Sequence, residues 1–143
     1  NGATFYDYYE TQDGRYLSIG SLEPQFLHGL AQILELPIVA EKGASLATED
    51  RQVVKQAIKD KIKTQDFATW NAIFQQQDVC VEPVLKLDEA LDSQLAKDRA
   101  WVVSVPLQEG STKSEQQLAC PIKFSRSKIR YEFIGKPLGF DSL

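Results

Sequence analysis

The stretch Gly14-Arg15-Tyr16-Leu17-Ser18-Ile19-Gly20-Ser21-Leu22-Glu23-Pro24-Gln25-Phe26 decides how the rest of the chain is read. Tyr16, Leu17 and Ile19 suit a short strand, and Gly14 and Gly20 punctuate its two ends. Pro24 then opens a helix. Proline is at home in the first helical position, because the N–H it lacks has no partner there anyway. Glu23 falls at the N-cap. Ser, Thr, Asp or Asn usually hold that place, since a short side-chain oxygen reaches the free amides better than a Glu does. Two readings of Glu23 stay open: a carboxylate placed favourably near the positive end of a helix dipole, or a functional group set at a strand-to-helix corner.

Upstream, residues 4–11 gather Phe5, Tyr6, Tyr8 and Tyr9 around Asp7 and Glu10 and predict a strand. Residues 12–15 make the turn, with Asp13-Gly14 supplying the positive φ that a tight hairpin needs. Downstream of Pro24, Phe26, Leu27, Leu30, Ile33 and Leu34 share one helical arc as far as about Leu34. At ~100° per residue, Glu23 lies over that same inward arc and His28 points to the other side. Pro37 and Gly43 read as a loop. Thr48, Glu49 and Asp50 begin a second helix, with Val54, Ala57, Ile58 and Ile62 at helical spacing and lysines at its end, a charge order that complements the dipole. Thr64 starts a third, whose buried stripe is Phe67, Trp70, Ile73 and Phe74.

The second half is less regular. Residues 79–85 form an apolar run containing Pro83, which suits an edge strand or an extended crossing. Residues 88–99 are weakly helical with Leu91 and Leu95 inward. Residues 101–107 read as a strand, 108–114 as a polar turn and 117–122 as the partner strand. From Phe124 the pattern dissolves. This order predicts an α+β fold, a small and mostly antiparallel sheet packed on one side by three to four helices. Residues 1–124 make the small domain and 125–143 a connector leaving it.

A chain of 143 residues suffices for one domain with a core. The net charge of −4 and the scattered lysines argue against nucleic-acid binding, which needs a concentrated basic face. No apolar run approaches the roughly 20 residues that span a bilayer, so no membrane partner is expected. Residues 1–4 have neither the basic nor the apolar region of a signal peptide, and the chain contains no Met. A piece excised from a longer gene product, or a processed one, is therefore expected; the cysteines, read as reduced thiols, suit a cytoplasmic setting. With one His, and with Cys80 and Cys120 far apart, the usual four-ligand zinc site is not available. Apolar neighbours predict buried, reduced thiols at both cysteines, and the sequence leaves a disulfide open.

Catalytic dyads are scarce. Glu23 and His28 diverge by ~140° on a helix, so they do not share a face. His28 reads as a surface residue, and Cys80 as a core thiol rather than a nucleophile. No phosphate loop, nucleophile elbow or metal-binding helix occurs. The residues alone do not make a complete active site.

The ordered set does resemble a known family. Phe5-Tyr6-Asp7, Tyr9-Glu10-Thr11-Gln12-Asp13-Gly14-Arg15-Tyr16-Leu17-Ser18-Ile19-Gly20 and Leu22-Glu23-Pro24-Gln25-Phe26 are similar to the small domain of the class III CoA-transferase family, also called the L-carnitine dehydratase/bile acid-inducible protein F family. The resemblance is nearest to its alpha-methylacyl-CoA racemase branch. Phe67, Trp70 and Phe74, then Asp78-Val79-Cys80-Val81-Glu82-Pro83-Val84-Leu85, Leu87-Asp88-Glu89-Ala90 and Pro121-Ile122 with Phe124-Ser125 follow in the family's order.

The resemblance implies a parent that pairs a large Rossmann-like domain with this small domain in an interlocked homodimer. In the racemase branch a His and an Asp of the large domain exchange the proton alpha to an acyl-CoA thioester through an enolate. A Glu in the Leu-Glu-Pro-Gln-Phe motif approaches that His, and Glu23 is the matching position. Its implied role is supporting, to orient the imidazole and hold its proton-accepting form. Coenzyme A enters as part of the substrate thioester, with no tightly bound cofactor and no metal. The implied partners are the acyl-CoA, the large domain of the same chain and a second copy. The transferase branch instead uses a large-domain Asp as acyl acceptor, and its members often carry a glycine-rich loop where this chain has only Asn1-Gly2. A reading from another class is an interaction or dimerisation module whose aromatic hairpin, Phe5 to Tyr16, docks a partner.

Overall fold

A central strand holds the first half of the molecule together. In the computed structural model, which describes residues 3–135, β2 (Tyr16–Ile19) pairs antiparallel with β1 (Asp7–Glu10) on one side and β3 (Val81–Pro83) on the other. Tyr9 faces Leu17, and Ile19 faces Val81, so the period-2 alternation of strands puts all four on the same buried face. Tyr8, Tyr16 and Glu82 point the other way and are exposed. The hairpin closes at Gly14, φ 75, and Thr11 N–H donates to the Arg15 carbonyl at 2.8 Å. β3 is an edge strand, as its proline requires.

Helices cover only the apolar face of this sheet. α1 (Pro24–Leu34) buries Leu27, Leu30, Ala31 and Leu34; α3 (Thr48–Ile62) buries Val54, Ile58 and Ile62; α4 (Phe67–Phe74) buries Phe67, Trp70 and Phe74. They form one core with Tyr9, Leu17, Ile19 and Val81. Trp70 anchors it, with its Nε1–H donating to the Ile62 carbonyl at 2.7 Å and its ring stacked on Phe74. The N-terminus of α4 is tied down twice. Asp66 Oδ1 accepts from Thr69 N–H at 2.8 Å, and Asp13 Oδ1, from the hairpin turn, accepts from Phe67 N–H at 3.0 Å. The third helix thus begins at Phe67, three residues after the expected Thr64.

Residues 37–43, expected as a loop, are instead largely helical as α2 (Pro37–Lys42). α1 ends with Glu35 in the left-handed conformation, φ 54, and Pro37 then takes the first position of a new helix, the role Pro24 plays in α1. The proline that closes one helix opens the next.

The chain divides into two compact units, Asn1–Val84 and Leu85–Leu143. The second contains α5 (Leu87–Asp92), α6 (Gln94–Asp98) and a hairpin of β4 (Val102–Pro106) with β5 (Ser114–Leu118). Glu89 caps α5 by accepting from Lys86 N–H at 2.8 Å, and Ser93 Oγ caps α6 by accepting from Ala96 N–H at 3.2 Å. Ser93 therefore breaks the single weak helix expected over 88–99 into two. Leu95, expected inward, is 56% exposed, and Ala96 takes the buried position. The partner strand also lies earlier than 117–122: Ser104 pairs with Gln116, and Val105 with Glu115. The apolar residues near 118–122 drew the expectation downstream, yet Leu118 and Ile122 are exposed. Ile129 and Tyr131 stay with this unit, where Tyr131 Oη accepts from Cys120 N–H at 2.8 Å. The α+β class holds, with one three-stranded and one two-stranded antiparallel sheet among the described residues. The last residues of the expected connector, 136–143, lie outside the described residues.

Candidate functional site

Glu23 sits where the sequence placed it, at the N-cap of α1 with Pro24 behind it. Its backbone is extended, φ −74 and ψ 143, and its carbonyl accepts the first helical bond from Leu27 N–H at 3.0 Å. Its side chain makes no cap bond. A Glu is one methylene too long to fold back onto the N2 or N3 amide easily. Among the described residues its carboxylate has no hydrogen-bond or ion-pair partner, and it is exposed. The positive end of α1 lies directly behind it.

The corner leading to Glu23 is held by residues distant in sequence. Gly20 N–H donates to the Cys80 carbonyl at 2.8 Å, and the fully buried Ser21 donates its hydroxyl to the Val79 carbonyl. Leu22 N–H then donates to the Gly20 carbonyl at 2.8 Å, turning the chain into α1. On the helix side, a Cβ at Gly29 would lie 2.7 Å from Val79 Cγ1, so the absence of a side chain lets α1 rest directly on this segment.

Cys80 corrects a sequence expectation. It is exposed, not buried, and its backbone is left-handed at φ 51. Cys120 is half-buried, and both thiols are free of disulfides. Partial desolvation, then the negative charges of Glu23, Asp78 and Glu82, push the Cys80 thiol up. A neutral thiol is a weak nucleophile, so the acidic surroundings argue against nucleophilic catalysis by Cys80. Their effect also places the thiol within electrostatic reach of Glu23.

The other sequence candidates do not converge on this corner. His28 lies on the exposed side of α1, in a concavity of about 430 Å³ shared with Gln32, Glu35 and Glu41. Asp7 pairs with Lys55. Burial works against its charge, but the Lys55 ammonium and the Tyr8 N–H outweigh that and hold the carboxyl below its ordinary value. Glu10 pairs with Lys63 at 2.9 Å. These acids serve the fold. Tyr9 is likewise structural: burial and the charge of Asp7 push its phenol up, and its hydroxyl donates to the Thr4 carbonyl at 2.5 Å. Among the described residues no group of three or more His, Cys, Asp or Glu side chains could hold a metal ion, and no helix is long and apolar enough to cross a membrane.

The sequence marks the cap position of Glu23, but neither the buried hydrogen bond of Ser21 nor the left-handed backbone of Cys80. No local signal marks either one. A cysteine carries no preference for positive φ, and the bonds at Gly20 and Ser21 join residues about sixty positions apart.

Comparison with known proteins places this geometry. The model for CoA-transferase family III matches residues 1–142. Over 103 residues, 72% of this chain, it is 36% identical to the alpha-methylacyl-CoA racemase of Mus musculus; over 112 residues, 78% of this chain, it is 31% identical to that of Homo sapiens. The matched parts amount to 27% and 29% of those racemases. The chain thus spans little more than a quarter of the relatives it matches. Among solved structures, Rv3272 from Mycobacterium tuberculosis superposes with a TM-score of 0.69 at 12% identity, covering 86% of this chain and 35% of that one. The D175A mutant of Rv3272 gives 0.68 at 15% identity, covering 87% and 35%. At these identities the likeness establishes the fold.

Proposed function

The chain belongs to CoA-transferase family III, and from that premise we propose that it is the small domain of an acyl-CoA racemase-like enzyme. Its parent epimerises the alpha carbon of 2-methylacyl-CoA thioesters by removing and returning a proton. The observation that carries this reading is Glu23, an exposed carboxylate at a corner hydrogen-bonded to Val79 and Cys80, whose side chain its own helix does not use. An unpartnered carboxylate so placed is available to a group outside this chain. In the parent that group is a histidine base of the large domain. Accepting the N–H of an imidazole leaves the opposite nitrogen to take the alpha proton, and stabilises the imidazolium that forms. Glu23 is thus a supporting residue, and the acyl-CoA, with coenzyme A as its carrier group, is the ligand of the assembled parent. Identity with two racemases favours racemisation over CoA transfer.

The test is to assay the full-length protein with a single enantiomer of a 2-methylacyl-CoA, with and without a free carboxylic acid. Racemisation independent of the acid is the expected result. Turnover only when the acid is present assigns CoA transfer instead and overturns the reading. Residues 1–143 alone are expected to be inactive in both assays, and activity in that fragment contradicts a supporting role for Glu23.

A further inference from the structure

The left-handed backbone of Cys80 is the least expected feature of the fold. Apart from Cys80, positive φ at non-glycine residues occurs among the described residues only at Glu35 and Ala100. Glu35 ends a helix, where a left-handed residue is a common stop. Ala100 follows α6 directly, after its C-cap Arg99. Cys80 ends no helix. It stands immediately before β3, in a conformation that L residues rarely adopt and that persists only where the surroundings impose it.

The surroundings are visible. Two successive carbonyls, those of Val79 and Cys80, receive two successive residues of the corner, Ser21 through its hydroxyl and Gly20 through its N–H. Consecutive carbonyls in an extended chain point to opposite sides. The left-handed turn at Cys80 lets both meet the same short segment. Leu22, Glu23 and Pro24 follow at once, and Gly29 seats the next turns of α1 on Val79. The path into Glu23 is therefore pinned from one side by a two-residue clamp, while the Glu23 side chain is left unbonded.

We propose that the left-handed backbone at Cys80 positions Glu23, so that Cys80 is a positioning residue acting through its main chain and not through its thiol. The proposal rests on the supporting role of Glu23 given above. It makes opposite demands on two substitutions. Glycine at position 80 keeps the conformation and both carbonyl bonds while deleting the thiol. Valine keeps a side chain of similar bulk, but its branched Cβ resists positive φ.

The experiment measures kcat, KM and the pH profile of kcat for 2-methylacyl-CoA racemisation by the full-length protein. Cys80→Gly is expected to retain most of the activity. Cys80→Val is expected to lose roughly ten- to hundred-fold in kcat, the scale of a small misplacement at a reacting centre, with KM changed less. Combined with Glu23→Gln, Cys80→Val is expected to add no further loss, because both act through one carboxylate. It should also move the pH profile in the direction that Glu23→Gln does. Should Cys80→Val fail to fold, Ser21→Ala, which removes one arm of the clamp, is read in the same cycle. Equal losses in Cys80→Gly and Cys80→Val overturn the proposal, as do losses that multiply with Glu23→Gln. An impaired Glu23→Gln beside an unimpaired Cys80→Val overturns the positioning role alone. An unchanged Glu23→Gln overturns the underlying role of Glu23.

Discussion

The two units of this chain are built to different standards. Residues up to Val84 contain every member of the main core, from Tyr9 to Val81, several of them wholly removed from solvent. From Leu85 onward only Ala96 and Val105 are buried hydrophobics among the described residues, while Leu87, Leu118, Ile122 and Phe124 are each more than half exposed. A three-stranded sheet with a helical cover excludes water from its apolar face. A two-stranded hairpin with two short helices does not, and such hairpins are marginal by themselves. The corner bearing Glu23 belongs to the well-packed unit, which suits a group that must be held in a fixed place.

The sharpest way to break this contrast is to delete the anchor of the first unit. Trp70→Ala removes a 1%-exposed indole, its bond to Ile62 and its stacking on Phe74. The expected loss is about 3–5 kcal/mol in urea unfolding, enough to leave the unit largely unfolded. A loss under ~1 kcal/mol contradicts the assigned core. Gly43→Ala comes next. The new Cβ would lie 2.3 Å from the Val39 carbonyl and about 3 Å from Leu27, so roughly 1–3 kcal/mol of overpacking is expected.

Acid separates the units by a smaller effect. Thr11 and Phe67 hold the Asp13 carboxyl below its ordinary value, and Thr69 does the same for Asp66. A carboxylate whose pKa is lower folded than unfolded contributes stability above the unfolded value, near pH 4, and loses it as pH falls through the folded one. Urea midpoints of the first unit should therefore drop as pH falls below about 4, and Asp13→Asn should flatten that slope. In the second unit the corresponding acid is the well-exposed Asp92, held by Lys97, and a shallower response is expected. The smallest effect belongs to Trp101→Ala. That indole is 37% exposed, and a loss of about 1 kcal/mol or less is expected from the same urea titration. A loss matching that of Trp70→Ala would erase the contrast.

Legibility in the sequence follows the same division. β2 and α1 have the boundaries expected of them, because a glycine-bounded run with Tyr16, Leu17 and Ile19 and a proline-led amphipathic arc are local signals strong enough to stand alone. α2 is hidden because Pro37 and Gly43 together have the look of a loop, although a proline also suits the first position of a helix. β5 was displaced because its residues, Ser114–Leu118, are polar and solvent-facing, so its register owes little to hydrophobic pattern. Glu23 stands out in the sequence by its odd cap position, which the structure shows, and by family resemblance, which carries its proposed role. The clamp behind it has no such local mark, because its hydrogen bonds join residues 20 and 21 to residues 80 and 79, about sixty positions on.

The claim that matters most is that Glu23 serves a base which this chain does not contain. Exchange of the alpha proton of a 2-methylacyl-CoA with D₂O, followed in the full-length protein before and after Glu23→Gln, tests it without depending on the net direction of reaction. The expected result is exchange slowed by roughly ten- to a thousand-fold, with an unchanged unfolding midpoint. Exchange at the wild-type rate would return Glu23 to the part of a carboxylate resting at a helix dipole.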